Sequence, residues 1–87
     1  MTITIYSKPN CVFCDKSKSL VKNLGLTYEE KMFGKDFNTP EELYEAVGKQ
    51  VITMPQVQID VELIGGYNQL VEYFVEKGKV NFKGEIV

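Results

Sequence analysis

Two cysteines stand three positions apart in Cys11-Val12-Phe13-Cys14, and the chain has no others. A pair so spaced can close into a small disulfide ring and open again, which is two-electron redox chemistry. The run follows a short apolar segment and falls where a loop becomes a helix, with Cys14 one turn beyond Cys11 on the same side. The first N–H groups of a helix lack helical partners, and the helix dipole adds partial positive charge there. Both favour the thiolate at Cys11, as does Lys8 three residues earlier. The thiolate is the attacking species: an ordinary thiol has a pKa of ~8.5, whereas Cys-x-x-Cys thiols at helix starts fall to roughly 3.5–7.5. Cys14, beside Asp15 and against the core, is expected to stay protonated until Cys11 is held in a mixed disulfide. Cys11 then reads as an accessible nucleophile and Cys14 as the resolving thiol.

Other uses of the pair are weaker. A structural crosslink would constrain only four residues. A zinc site needs about four ligands, and two cysteines without any histidine supply half of one. Two core cysteines would pack well, but neither the spacing nor the helix-start position calls for that.

The remaining sequence supplies the elements that would position the pair. Thr2–Tyr6 alternates in the manner of a strand, and Pro9 breaks it. From Val12 to about Leu24 a helix places Phe13, Ser17, Leu20, Val21 and Leu24 on one face, with Gly25 as its stop. Leu26–Met32 reads as a second strand. Thr39-Pro40-Glu41-Glu42 opens a second helix with a capping box, and Gly48 ends it. Gln56–Ile59 and the short Leu63-Ile64 read as a hairpin turning at residues 60–62. Asn68–Lys77 is the third helix, with Leu70, Val71, Phe74 and Val75 inward and Gly78 as its stop. The order β-α-β-α-β-β-α makes an α/β domain over residues 1–78. Its first two strands are joined through a helix and should be parallel. Val80 and Phe82 alternate in the tail 79–87, which either adds a strand or dangles.

Eighty-seven residues with 44% hydrophobic and 25% charged content describe one small ordered domain. Ten lysines and twelve acids give a net charge of −2, and arginine is absent. Nucleic acid is therefore not an expected partner. Without histidine, no Cys–His pair and no His base exists. No stretch approaches the ~18 apolar residues of a membrane span, and Met1–Tyr6 lacks the basic start of a signal peptide. The expected setting is a reducing cytoplasm, where a lone Cys-x-x-Cys is more often catalytic than structural.

A Cys-x-x-Cys opening the first helix of a βαβ unit resembles the thioredoxin superfamily. Within it the chain resembles the glutaredoxins, above all the small dithiol forms of large bacteriophages. Ser7-Lys8-Pro9-Asn10-Cys11-Val12-Phe13-Cys14 is similar to Lys-x-x-Cys-Pro-Tyr-Cys, and Ser17-Lys18-x-Leu20-Val21 to Ala-Lys-x-Leu-Leu. Thr53-Met54-Pro55-Gln56-Val57 is similar to Thr-Val-Pro-x-Val, and Ile64-Gly65-Gly66-Tyr67 to the family's Ile-Gly-Gly element. The resemblance spans residues 2–77 and implies a thioredoxin-like fold, a four-stranded mixed sheet flanked by three helices. It implies a glutathione-dependent thiol–disulfide oxidoreductase with glutathione as reducing co-substrate and no metal or bound prosthetic group. Its substrates would be glutathionylated or disulfide-bonded proteins, with ribonucleotide reductase a candidate among them, and it would act as a cytoplasmic monomer (host cytoplasm for a phage protein).

The same resemblance implies particular site residues. Pro55 would be cis beside the Cys11 sulfur, although residues alone favour an ordinary trans strand-entry proline. Met54 would offer its backbone to the glutathione cysteine, Thr53 would shape the groove, and Phe13 would wall it. Gly66, Tyr67 and Asn68 would hold the γ-glutamyl end at a helix start; Asn68 also reads as that helix's N-cap. Lys8 would attract the glycine carboxylate or the thiolate. Three positions depart from the pattern. Val12 replaces the proline between the cysteines, Phe13 replaces tyrosine, and Asn68-Gln69 stands where an aspartate is usual. Losing that carboxylate weakens the case for glutathione and leaves a thioredoxin-like donor, reduced by a flavoprotein, as the alternative. A glutathione-assisted iron–sulfur dimer is a more distant one.

Overall fold

The computed structural model describes residues 1–51 and 53–87. Its elements are β1 (Ile3–Ser7), α1 (Val12–Asn23), β2 (Glu29–Met32), α2 (Pro40–Val47), β3 (Gln56–Ile59), β4 (Glu62–Gly65) and α3 (Tyr67–Glu76). The strands form one mixed sheet in the order β2-β1-β3-β4. β1 runs parallel to β2, with Thr4 opposite Glu29, and antiparallel to β3, with Ile5 opposite Val57. β3 and β4 make the antiparallel hairpin.

β1 is paired along both edges, and helices cover both of its faces. On one side Ile3 and Ile5 join Leu20 and Val21 of α1, Val57 and Ile59 of β3, and Leu70, Val71 and Phe74 of α3. On the other, Tyr6 packs with Phe37 and with Leu43 and Val47 of α2. The sheet thus lies between α1 with α3 and α2 alone, the thioredoxin-like arrangement.

Local chemistry sets the boundaries. Thr39 and Glu42 close the capping box of α2, Pro40 opens the helix, and Gly48 ends it at φ 85°. α1 stops at a Schellman turn, with Gly25 N–H donating to Lys22 C=O and Leu26 N–H to Val21 C=O. That turn consumes Leu26, so the second strand begins at Glu29 rather than at residue 26. The third helix starts one residue earlier than its sequence pattern suggests, because Gly66 rather than Asn68 is the N-cap. Gln69 Oε1 accepts the Gly66 N–H at 3.0 Å and supplies the capping contact.

The tail neither extends the sheet nor dangles. A second Schellman turn, Gly78 N–H to Val75 C=O and Lys79 N–H to Phe74 C=O, swings it back. Val80 enters the main core and bridges to Ile86, while Phe82 stays 80% exposed. Asn81 ties the resulting hook, its Oδ1 accepting the N–H groups of Lys83 and Glu85 at 2.9 and 3.0 Å.

Candidate active site

Cys11 occupies the N-cap of α1 with extended backbone, φ −117° and ψ 106°. Asn10 before it takes φ 56°, a left-handed turn that asparagine tolerates. Cys11 and Cys14 are joined as a disulfide with their Cα atoms 5.2 Å apart. The N–H of Cys14 donates to Cys11 Sγ at 3.2 Å. In the reduced protein that contact, with the free first-turn N–H groups, stabilises negative charge on Cys11.

In this oxidised state Cys11 is less open than its sequence position suggests. It is 8% exposed and Cys14 only 1%. Cys14 belongs to the buried face of α1 with Ser17, Leu20 and Val21. Ser17 is held there by donating its hydroxyl to Phe13 C=O at 2.8 Å. Phe13, placed on the inner face by its spacing, is 51% exposed instead. It sits in the first turn of α1, ahead of Cys14, where the buried face of the helix begins. It stands at the rim, its ring 5.9 Å from that of Tyr67. Lys16 Nζ lies 5.2 Å from the Phe13 ring centre and 6.0 Å from that of Tyr67.

The segment before β3 lies against the sulfurs. Met54 C=O is 3.9 Å from Cys11 Sγ. The Met54–Pro55 peptide is cis, as the resemblance implies and against the trans reading from residues alone. Gln56 was not singled out by sequence, yet it pins this segment. Buried at the start of β3, its Nε2 donates to Thr53 C=O at 2.8 Å and reaches Thr53 Oγ1 at 3.3 Å. The available signal was its place directly after Pro55 in the Thr53-Met54-Pro55-Gln56-Val57 element.

Two clefts flank Thr53 and Met54. One, of about 260 Å³, is lined by Phe13, Thr53, Met54, Pro55, Gly66, Tyr67 and Asn68, with Gln69 added. It gathers seven of the ten residues singled out in sequence. The other, of about 400 Å³, has Lys8 on its wall with Phe33, Phe37, Leu43, Tyr44 and Val51. Its aromatic residues come from the β2–α2 loop and α2, which carry no motif, and sequence reading passed over them. At the first cleft, the N–H groups of Tyr67, Asn68 and Gln69 form the free first turn of α3.

The family model for glutaredoxin matches residues 3–64. The chain belongs to the glutaredoxin family. Glutaredoxin 3 of Escherichia coli is 31% identical over 68 residues, 78% of this chain and 80% of that protein. The hybrid peroxiredoxin hyPrx5 of Haemophilus influenzae is 40% identical over 73 residues; the match takes in 84% of this chain but spans only 29% of that longer protein. Among solved structures, reduced Escherichia coli glutaredoxin superposes with a TM-score of 0.76 at 28% identity, over 87% of this chain and 95% of that one. A buckwheat glutaredoxin–glutathione complex shares the fold, with a TM-score of 0.71 at 24% identity over 86% of this chain and 69% of its own. The glutaredoxin Cys11–Cys14 pair, at a helix start beside a cis-proline segment, makes the protein a thiol–disulfide oxidoreductase.

Proposed function

We propose that glutathione is the electron source and that glutathionylated or disulfide-bonded proteins are the substrates. The observation that carries this reading is the Met54 backbone lying beside Cys11 Sγ, its C=O 3.9 Å away. Met54 lines two clefts, one leading to the open start of α3 and the other to Lys8. A tripeptide laid along Met54 puts its cysteine sulfur at Cys11. Its γ-glutamyl carboxylate meets the N–H groups of Tyr67 and Asn68, and its glycine carboxylate meets Lys8. Gly66 brings bare backbone to the wall of the cleft at the start of α3, beside Pro55.

The cycle uses only the chain's sulfurs and its substrates. The Cys11 thiolate attacks a substrate disulfide, forming a mixed disulfide and releasing one substrate thiolate. Cys14, deprotonated, attacks Cys11 Sγ, expels the second substrate thiolate and leaves the closed ring seen here. One glutathione thiolate opens that ring at Cys11. A second attacks the glutathione sulfur and leaves as oxidised glutathione, returning the dithiol. Two electrons pass from two glutathiones to one substrate disulfide. The wider, aromatic-lined cleft beside Lys8 also has room for the chain flanking a protein cysteine. The same reading puts the protein at work as a monomer in a cytoplasm rich in glutathione, with ribonucleotide reductase among its candidate substrates.

Turnover of a glutathionylated peptide in the presence of glutathione and glutathione reductase should exceed turnover with a thioredoxin reductase as the only donor. The reverse order would assign the electrons to a flavoprotein instead. Asn68 gives the glutathione ammonium an amide where a carboxylate would pair with it. Asn68→Asp should therefore lower the KM for the glutathionylated peptide by about threefold, the scale of one exposed ion pair. An unchanged or raised KM would place the γ-glutamyl end elsewhere.

A further inference from the structure

We propose that the C-terminal hook is part of the active-site wall, and that Gly84 is a positioning residue acting through Tyr67. The Tyr67 ring has two sides in this structure. One faces Phe13 and the cleft beside Met54 and Pro55. The other faces the hollow between α1 and the hook, which Val12, Lys16, Gly84 and Glu85 line. The hydroxyl meets the hook at Gly84. An ideal Cβ added there would lie 2.9 Å from Tyr67 Oη and 3.8 Å from Val71 Cγ2. The hydroxyl thus fills the space a side chain would need, and the bare backbone is its seat.

That seat is held firmly. Gly84 N–H donates to Asn81 C=O at 2.9 Å, and Asn81 N–H donates to Glu85 C=O at 2.8 Å. Val80, 3% exposed, anchors the base of the hook in the main core. The chain of contact runs from core to Val80, from Val80 through the Asn81 turn to Gly84, and from Gly84 to the Tyr67 hydroxyl. It ends at the Phe13 ring between the two cysteines. Phe13 and Tyr67 are both partly open to solvent, and a rim of two such rings keeps its tilt only when something fixes the far edge. Gly84 does so. Gly84 lies beyond residue 64, where the family match ends.

The test compares Gly84→Ala in the wild-type and the Tyr67→Phe backgrounds. Gly84 sits at φ +80°, so alanine carries a backbone cost in both; that cost appears equally in the two melting temperatures. The clash with the hydroxyl exists only when tyrosine is present. In the wild-type background Gly84→Ala should raise the KM for a glutathionylated peptide about fivefold with kcat unchanged, because a displaced wall loosens substrate positioning. In the Tyr67→Phe background the added KM increase should vanish. An equal increase in both backgrounds, or none in either, would overturn the proposal.

This inference rests on glutathione occupying the cleft, and a second readout separates the two failures. The Phe13 ring protons of the oxidised protein, observed by NMR without glutathione, should move in Gly84→Ala and return in the double variant. Should the wild type fail to saturate with glutathionylated peptide, the proposed function falls and the Phe13 signals decide the buttress. Signals that stay put in Gly84→Ala would sink it.

Discussion

Serine at position 11 abolishes turnover in the glutathione-coupled assay, by a factor on the order of a thousand or more. The hydroxyl of serine is not appreciably ionised at neutral pH, and the contact from Cys14 N–H to Sγ, 3.2 Å long, has no thiolate left to stabilise. Serine at position 14 behaves differently. Cys14 is 1% exposed and cannot meet a bulky substrate directly. Cys14→Ser should keep reduction of glutathionylated peptide, which needs only Cys11 and a second glutathione. It should lose reduction of protein disulfides, which needs the resolving attack, and should trap Cys11 in a mixed disulfide visible by mass spectrometry. Activity surviving Cys11→Ser would overturn the assignment of the nucleophile. Equal loss of both activities in Cys14→Ser would make the second cysteine necessary in every cycle.

Phe74→Ala should cost about 3–5 kcal/mol. The ring is 2% exposed and lies among Ile3, Ile5, Leu20, Leu70 and Val80, where three elements and the tail converge. A small domain has roughly 5–15 kcal/mol in total, so the variant should unfold at far lower urea, by about 2 M, or not fold at all. Phe82→Ala is the matched control. The same side chain at 80% exposure should change stability by less than about 0.5 kcal/mol. Urea titrations of both variants, followed by far-UV circular dichroism, read the contrast. A Phe74→Ala midpoint within about 0.5 M of wild type would mean that the core is not organised around this ring.

The order of elements and the reactive pair were legible in the sequence because both write short-range signals. Capping residues mark α2, glycines mark three helix ends, and Cys-x-x-Cys stands at a helix start. What sequence missed depends on long-range packing. Phe13 lies at a position compatible with the inner face of α1, but the buried face of the helix begins only at Cys14, which leaves Phe13 at the rim. Leu26 has strand propensity, but the hydrogen bond to Val21 C=O recruits it to the end of α1. Gly66 takes the N-cap because the side chain of Gln69 reaches back to it, a contact that a polar residue at position 68 obscures. The aromatic cleft around Tyr44 joins residues from separate segments, none of them part of a motif. The cis peptide at Pro55 came from the resemblance and not from the residues themselves.

The two outer strands of the sheet differ from the central pair in a way that matters when the protein is concentrated. β2 presents Glu29, Glu30 and Lys31 in succession; β4 opens on Glu62, opposite Ile59, and its register with β3 shifts between Val57 and Gln58. Charged side chains and broken register are the features that discourage one chain from extending the sheet of another. An unpaired rim of four residues on either side is also short for templating a fibril. The molecule can therefore expose two apolar side chains at its reactive tip, Val12 and Phe13, without also offering a ladder along which aggregates would grow.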